Sequence, residues 1–156
     1  MSGGSSEEAL KRALKFLSFR DRTEGELGAR LAELGFTPEI IQTTLDRLRR
    51  LHYVNDERFA RDWVQARAEG RGYGRSRIAG ELLRKGLPRS LIEPILDETA
   101  TEADERKRAS TLIQKRFKGR DLKDPRTLRQ AEHFLQRQGY SDALIAELLN
   151  LPDPAA

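Results

Sequence analysis

The 156-residue chain has no cysteine, only two histidines, one tryptophan and one methionine, and 6% aromatic residues. Without cysteine there are no disulfides, thiolate nucleophiles or cysteine-ligated metals, which fits a reducing compartment. The histidines, His52 and His133, lie far apart in sequence. They make no zinc-binding spacing, and no Ser/His/Asp grouping sits in a recognisable motif. No apolar run approaches the ~18 residues of a membrane span. The opening "MSGGSSEE" lacks the basic start and apolar stretch of a signal peptide. These absences predict a cytoplasmic protein with no membrane association, no metal or other cofactor, and no enzymatic activity of its own.

Charge, by contrast, is abundant. Hydrophobic residues make up 37% of the chain and charged residues 35%, with a net charge of +4. Such a polar chain folds only if its apolar residues fall in narrow stripes, and its basic balance permits an anionic partner.

The stripes are there, and they repeat. "RLAELGFTPEIIQTTLDRL", "ELLRKGLPRSLIEPILDET" and "HFLQRQGYSDALIAELLNL" align on Gly35, Gly86 and Gly139. Four residues before each glycine stand Leu31, Leu82 and Leu135, and one after it stand Phe36, Leu87 and Tyr140. Further on come Ile40-Ile41, Leu91-Ile92 and Leu144-Ile145, then Leu45, Leu96 and Leu149. A period near 50 residues predicts repeated helical units. In each, a middle helix ends at the glycine and a third helix starts two or three residues later. Thr37-Pro38, Ser141, the box "TEGE" from Thr23 to Glu26, and Asp124-Pro125 read as helix starts. The first helices carry Leu10, Leu14 and Leu17; Phe59, Ala60, Trp63 and Val64; and Ala109, Leu112, Ile113 and Phe117 at helical spacing.

The expected fold is therefore all-α: three tandem three-helix repeats in an elongated, curved, winged-helix-like molecule. The expected boundaries are a disordered tail over 1–6, repeats over 7–52, 53–100 and 101–151, and a second disordered tail over 152–156. Each repeat alone has a thin core, so stacking must add burial.

"GRGYG", Gly70 to Gly74, has neither a preceding strand nor a Walker sequence. It reads as a flexible loop between helices. Acidic pairs such as Asp56-Glu57 read as favourable helix starts. Positive charge is concentrated: seven cations against two acids over Arg67–Arg89, and ten against two over Arg106–Arg129. Arg20 and Arg22 occupy the connection between first and second helices in the first repeat. Arg71, Arg75 and Arg77 occupy it in the second, and Lys118 and Arg120 in the third. Stacked repeats would set these cations in a row, and guanidinium forks suit phosphate or carboxylate. Phe59 and Trp63 read as core, and Tyr73 as an exposed stacking residue within the basic loop. The candidate binding residues are Arg20, Arg22, Arg71, Tyr73, Arg75, Arg77, Lys85, Arg108, Lys115, Arg116, Lys118 and Arg120.

"RDRTEGELGARLAELGF" (Arg20–Phe36), "YVNDERFARDWVQAR" (Tyr53–Arg67) and "GYGRSRIAGELLRKGL" (Gly72–Leu87) resemble signature segments of the RecX family, regulators of the RecA recombinase. The likeness covers most of Ala9 to Leu149 and is densest in the first two repeats. It implies a monomeric, non-enzymatic protein that lies along the groove of the RecA–DNA filament. Such a protein limits filament growth, ATP hydrolysis, strand exchange and coprotease activity, and binds single- and double-stranded DNA weakly by itself. A sequence-nonspecific DNA-binding protein acting without a recombinase, and a plain helical scaffold, are the alternatives.

Overall fold

The computed structural model describes residues 4–152, and the regular structure among them is helical throughout. The first repeat holds α1 (Ser6–Phe19), α2 (Glu24–Glu33) and α3 (Pro38–Arg50). The second holds α4 (Asp56–Gln65), α5 (Arg75–Arg84) and α6 (Arg89–Thr99). The third holds α7 (Glu102–Arg116), α8 (Pro125–Gln138) and α9 (Asp142–Leu149). Residues 1–3 and 153–156 of the expected tails lie outside the described residues. The first tail is shorter than expected on its inner side. Ser5 caps α1, its hydroxyl accepting from the Glu8 N–H at 3.2 Å, and Ser6 is already helical. The reason is local: a serine oxygen satisfies an otherwise orphaned amide of the first turn.

The other starts follow the same chemistry. Thr23 and Glu26 form a reciprocal capping box. Thr37, Asn55, Thr101, Asp124 and Ser141 each offer a side-chain oxygen to an amide three residues on. The ends of the middle helices also repeat. Gly35, Gly86 and Gly139 adopt φ of 90°, 87° and 99°. Phe36, Leu87 and Tyr140 then donate their N–H groups back to the carbonyls of Leu31, Leu82 and Leu135 at 3.2 Å each. The left-handed glycine reverses the chain, so the following apolar residue returns to the core beside the leucine that receives its bond.

The connection after α4 differs from the expected flexible loop. The helix continues into a π-helical turn, Ala66–Gly70. Gly72, Tyr73 and Gly74 are then buried. Gly72 and Tyr73 donate to the carbonyls of Ala68 and Arg67, and a Cβ on Gly72 would stand 3.0 Å from Leu112. Gly72, at φ 70°, and the buried Gly74 make room for packing rather than providing mobility.

The chain folds into two compact units, Met1–Arg61 with Leu82–Leu91, and Asp62–Glu81 with Ile92–Ala156. The middle repeat is thus shared between them. In the first unit Ala9, Ala13, Leu27, Leu31 and Leu48 are inaccessible to solvent, with Phe36, Leu45 and Val54 beside them. In the second, Ala109, Ile113, Phe117, Ala131, Leu135, Tyr140 and Ile145 form a core. Each fully buried leucine or isoleucine contributes roughly 1.5–3 kcal/mol of transfer free energy.

Candidate nucleic-acid and partner interface

Many of the expected binding cations stand at helix starts, and two of those starts are built into joints. In the first unit, α2 begins against the end of α5. The buried Thr23 hydroxyl donates to the Lys85 carbonyl. The Glu24 N–H donates to Asp56 at 2.9 Å, bringing a carboxylate from the start of α4 to the first turn of α2. A Cβ on Gly25 would lie 2.9 Å from the Gly86 Cα. Glu26 receives Arg20 at 3.0 Å and Lys85 at 3.6 Å.

The second unit uses the same plan at the start of α5. Gly74 donates its N–H to Gln138 at 2.7 Å, and Ser76 donates to Gly139 at 3.2 Å. The Arg75 N–H donates to the carboxylate of Glu105, on the first helix of the third repeat. A Cβ on Gly139 would stand 2.4 Å from the Arg77 Cβ. Burial pushes the Asp56 and Glu105 carboxyls above the usual carboxylate range. Glu26 goes the other way. Burial works to raise it, but the Arg20 hydrogen bond, the Thr23 amide and the charges of Lys85 and Arg20 together hold it low. The Tyr140 hydroxyl donates to the Gly72 carbonyl at 2.7 Å, and burial pushes it up to about 12.

These joints change the reading of several expected residues. Tyr73 is not an exposed stacker. It is 9% exposed, its hydroxyl accepts from Arg77 at 2.9 Å, and the Arg77 guanidinium lies 3.7 Å above its ring. An apolar ring between two buried glycines packs inward more favourably than it faces water. Arg75 binds Glu93 and, at 2.7 Å, Asp97. Burial opposes its charge, and the two carboxylates outweigh that and hold the guanidinium protonated. Arg77 also donates to the Arg137 carbonyl at 3.0 Å. Lys85 lies 5.7 Å from the Phe59 ring as well as near Glu26. Arg108 is half-buried, its charge acting on Glu105 and Tyr140. Arg22 covers Phe16 and donates to its carbonyl at 3.3 Å.

Phe59 and Trp63, expected in the core, are half-buried beneath cations instead. Trp63 lies 4.3 Å under Arg67 and donates to Glu81 at 3.2 Å. Ala60 and Val64 take the buried positions of that helix.

Other cations face solvent. Arg20 is half-exposed beside its partner Glu26, and Arg71, Lys115, Arg116, Lys118 and Arg120 are exposed. Two of these meet residues not singled out in the sequence. Arg116, at the end of α7, and Arg120, in the connection that follows it, border a cleft of about 390 Å³ with Gln130, His133, Phe134 and Arg137 of α8. Arg116 lies 5.4 Å from the Phe134 ring and Arg120 lies 5.2 Å from that of Phe117. The α8 residues recur at helical spacing on one face. That spacing is legible in the sequence, but these residues lie beyond the basic run Arg106–Arg129, and Arg137 stands alone.

A tandem array of three-helix repeats, with glycine-seated joints and cationic surfaces, is the class of protein this architecture defines. The chain belongs to the RecX family. Residues 9–48 match the family model for the first three-helix domain of RecX, and residues 55–96 match that for its second. The Regulatory protein RecX of Trichlorobacter lovleyi is 37% identical over 138 residues, covering 87% of this chain and 90% of that protein. Its namesake from Mycolicibacterium vanbaalenii is 35% identical, covering 92% and 84%. In fold, the crystal structure of RecX from Lactobacillus salivarius superposes with a TM-score of 0.79 at 21% identity, covering 93% and 94% of the two chains. Among the described residues no helix is long and apolar enough to cross a membrane.

Proposed function

We propose that this protein regulates the RecA recombinase, mainly as an inhibitor, by binding along the groove of the RecA–DNA filament and limiting its growth and its ATP hydrolysis. Strand exchange and coprotease activity fall with the filament. The observation that carries this reading is the 37% identity to a Regulatory protein RecX across most of both chains. The repeat architecture agrees with it in physical terms. A filament presents the same surface again and again, and a tandem-repeat ligand can meet successive copies with successive modules. Weak contacts joined in one chain bind together far more tightly than singly, because the second contact forms at a high effective concentration.

The cations that serve such contacts in this reading are the solvent-facing ones: Arg20, Arg71, Lys115, Arg116, Lys118 and Arg120. Arg75, Arg77 and Lys85 act one step back, holding the joints that set the repeats' helix starts. The test is ATP hydrolysis by the matching recombinase on single-stranded DNA, titrated with this protein. Inhibition at well under one copy per recombinase subunit is the expected result. Unchanged hydrolysis at equimolar protein would overturn the reading.

A second reading, a DNA-binding protein acting without recombinase, is favoured by one specific feature, the arginine-lined cleft between α7 and α8.

A further inference from the structure

The cleft between α7 and α8 is unlike the other cationic places of the molecule. The cations at the joints are spent on internal carboxylates and carbonyls. Three arginines, Arg116, Arg120 and Arg137, border this one opening together with His133 and Gln130, and among the described residues no acidic side chain lines it. Three like charges around one concavity repel each other. An arrangement of that kind is relieved by an anion.

The floor adds a second property. Phe117 and Phe134 meet edge to face with ring centroids 6.1 Å apart, and Phe134 is only partly buried. Arg120 spends part of its fork on Gln130 and, at 3.5 Å, on Thr127. That fixes its guanidinium over Phe117. Arg116, over Phe134, and Arg137, one turn from His133, remain exposed.

We propose that this cleft is a binding site for single-stranded DNA, with the arginines holding successive backbone phosphates and Phe134 receiving the edge or face of a neighbouring base. Guanidinium forks match phosphate oxygens in pairs, and an aromatic side chain beside a basic groove is how unpaired strands are gripped without regard to sequence. An acidic peptide would satisfy the arginines but leave the aromatic floor without a planar partner. The site adds a direct DNA contact to the regulator reading without depending on it, so it is measured with no recombinase present.

The experiment is fluorescence anisotropy of a labelled 20-residue thymidine strand with the full chain, over a range of salt. Three proteins are compared: the natural sequence, R116E/R137E, and K11E/R12E. The last pair is exposed on α1 and changes the net charge equally. Circular dichroism and thermal melting establish that all three are folded. The expected result is a loss of at least tenfold in R116E/R137E beyond that in K11E/R12E. The slope of log affinity against log salt should also fall by ~1.4 for two lost phosphate contacts. An abasic strand of the same length should bind the natural protein several-fold more weakly than the thymidine strand. Equal losses in the two reversed pairs, or an unchanged slope, would overturn the site. Equal binding of the abasic strand would remove the base contact. Displacement by free ATP as effective as by unlabelled strand, at equal phosphate concentration, would show that the cleft takes a nucleotide and not a strand.

Discussion

The two joints solve one geometric problem with different atoms. In both, the residue capping a second helix donates to the carbonyl that precedes a left-handed glycine: the Thr23 hydroxyl to Lys85, and the Gly74 amide to Gln138. In both, a carboxylate from a first helix takes the next free amide, Asp56 for Glu24 and Glu105 for Arg75. They differ in tightness and in the sign of the third helical residue. The first joint brings Gly25 to Gly86 at its solvent-exposed edge, with an anion, Glu26, facing Lys85. The second buries Gly74 and Gly139 and sets a cation, Arg77, over the glycine. A joint made from backbone tolerates no side chain, whereas one made from side chains can be adjusted residue by residue.

The comparison breaks most sharply at the glycines. Alanine at Gly35 meets nothing within 4 Å, so Gly35→Ala should cost only about 1–2 kcal/mol for its left-handed backbone. Gly139→Ala adds to that cost a clash with the Arg77 backbone and Cβ, worth a further ~1–3 kcal/mol or more. Urea midpoints should therefore fall much further for Gly139→Ala, and equal midpoints would refute the joint. The next effect is at Arg75. Arg75→Ala removes the partner of Glu93 and Asp97 and should cost about 2 kcal/mol at most, since the pair is partly exposed. Arg71→Ala, on an exposed side chain, should leave the melting temperature unchanged.

The pH dependence should separate Glu105 from Glu26 by sign. Glu105 has its folded value raised, so its folding penalty is present at neutral pH. The penalty fades as pH falls through the raised folded value to the ordinary carboxylate range. Glu26 has its folded value lowered. Its contribution is present above the ordinary carboxylate range and disappears as pH falls through the lowered value. Between neutral pH and pH 4, Glu105→Gln should lose stability relative to the natural protein, and Glu26→Gln should gain on it. Stability curves measured by urea at several pH values check both signs.

The helices and their ends were legible because they depend on neighbours in sequence. Thr23 with Glu26, Thr37 with Pro38, and the leucine–glycine–aromatic frame act over a few residues, and the structure places them as the spacing implies. The joints were not legible. Gly25 and Gly86 meet across 61 positions of sequence, and nothing in either local pattern announces the other. For the same reason Arg75 and Arg77 looked free, since their partners Glu93, Asp97 and the Arg137 carbonyl lie on other helices. Tyr73 misled because glycine neighbours suggest exposure, and here they are small so that Leu112 and the Gly139 backbone can approach. The α7–α8 cleft was half visible: Arg116 and Arg120 stood out in a basic run, and Arg137 did not.

Gly35 carries the left-handed turn of its two counterparts with open space where a Cβ would point. Among the described residues nothing occupies that place. A helix start of the kind that meets Gly86 or Gly139 could be seated there with no change to the residue itself. An array built this way can be lengthened by gene duplication, and a designer could add a module by copying 50-odd residues instead of inventing an interface.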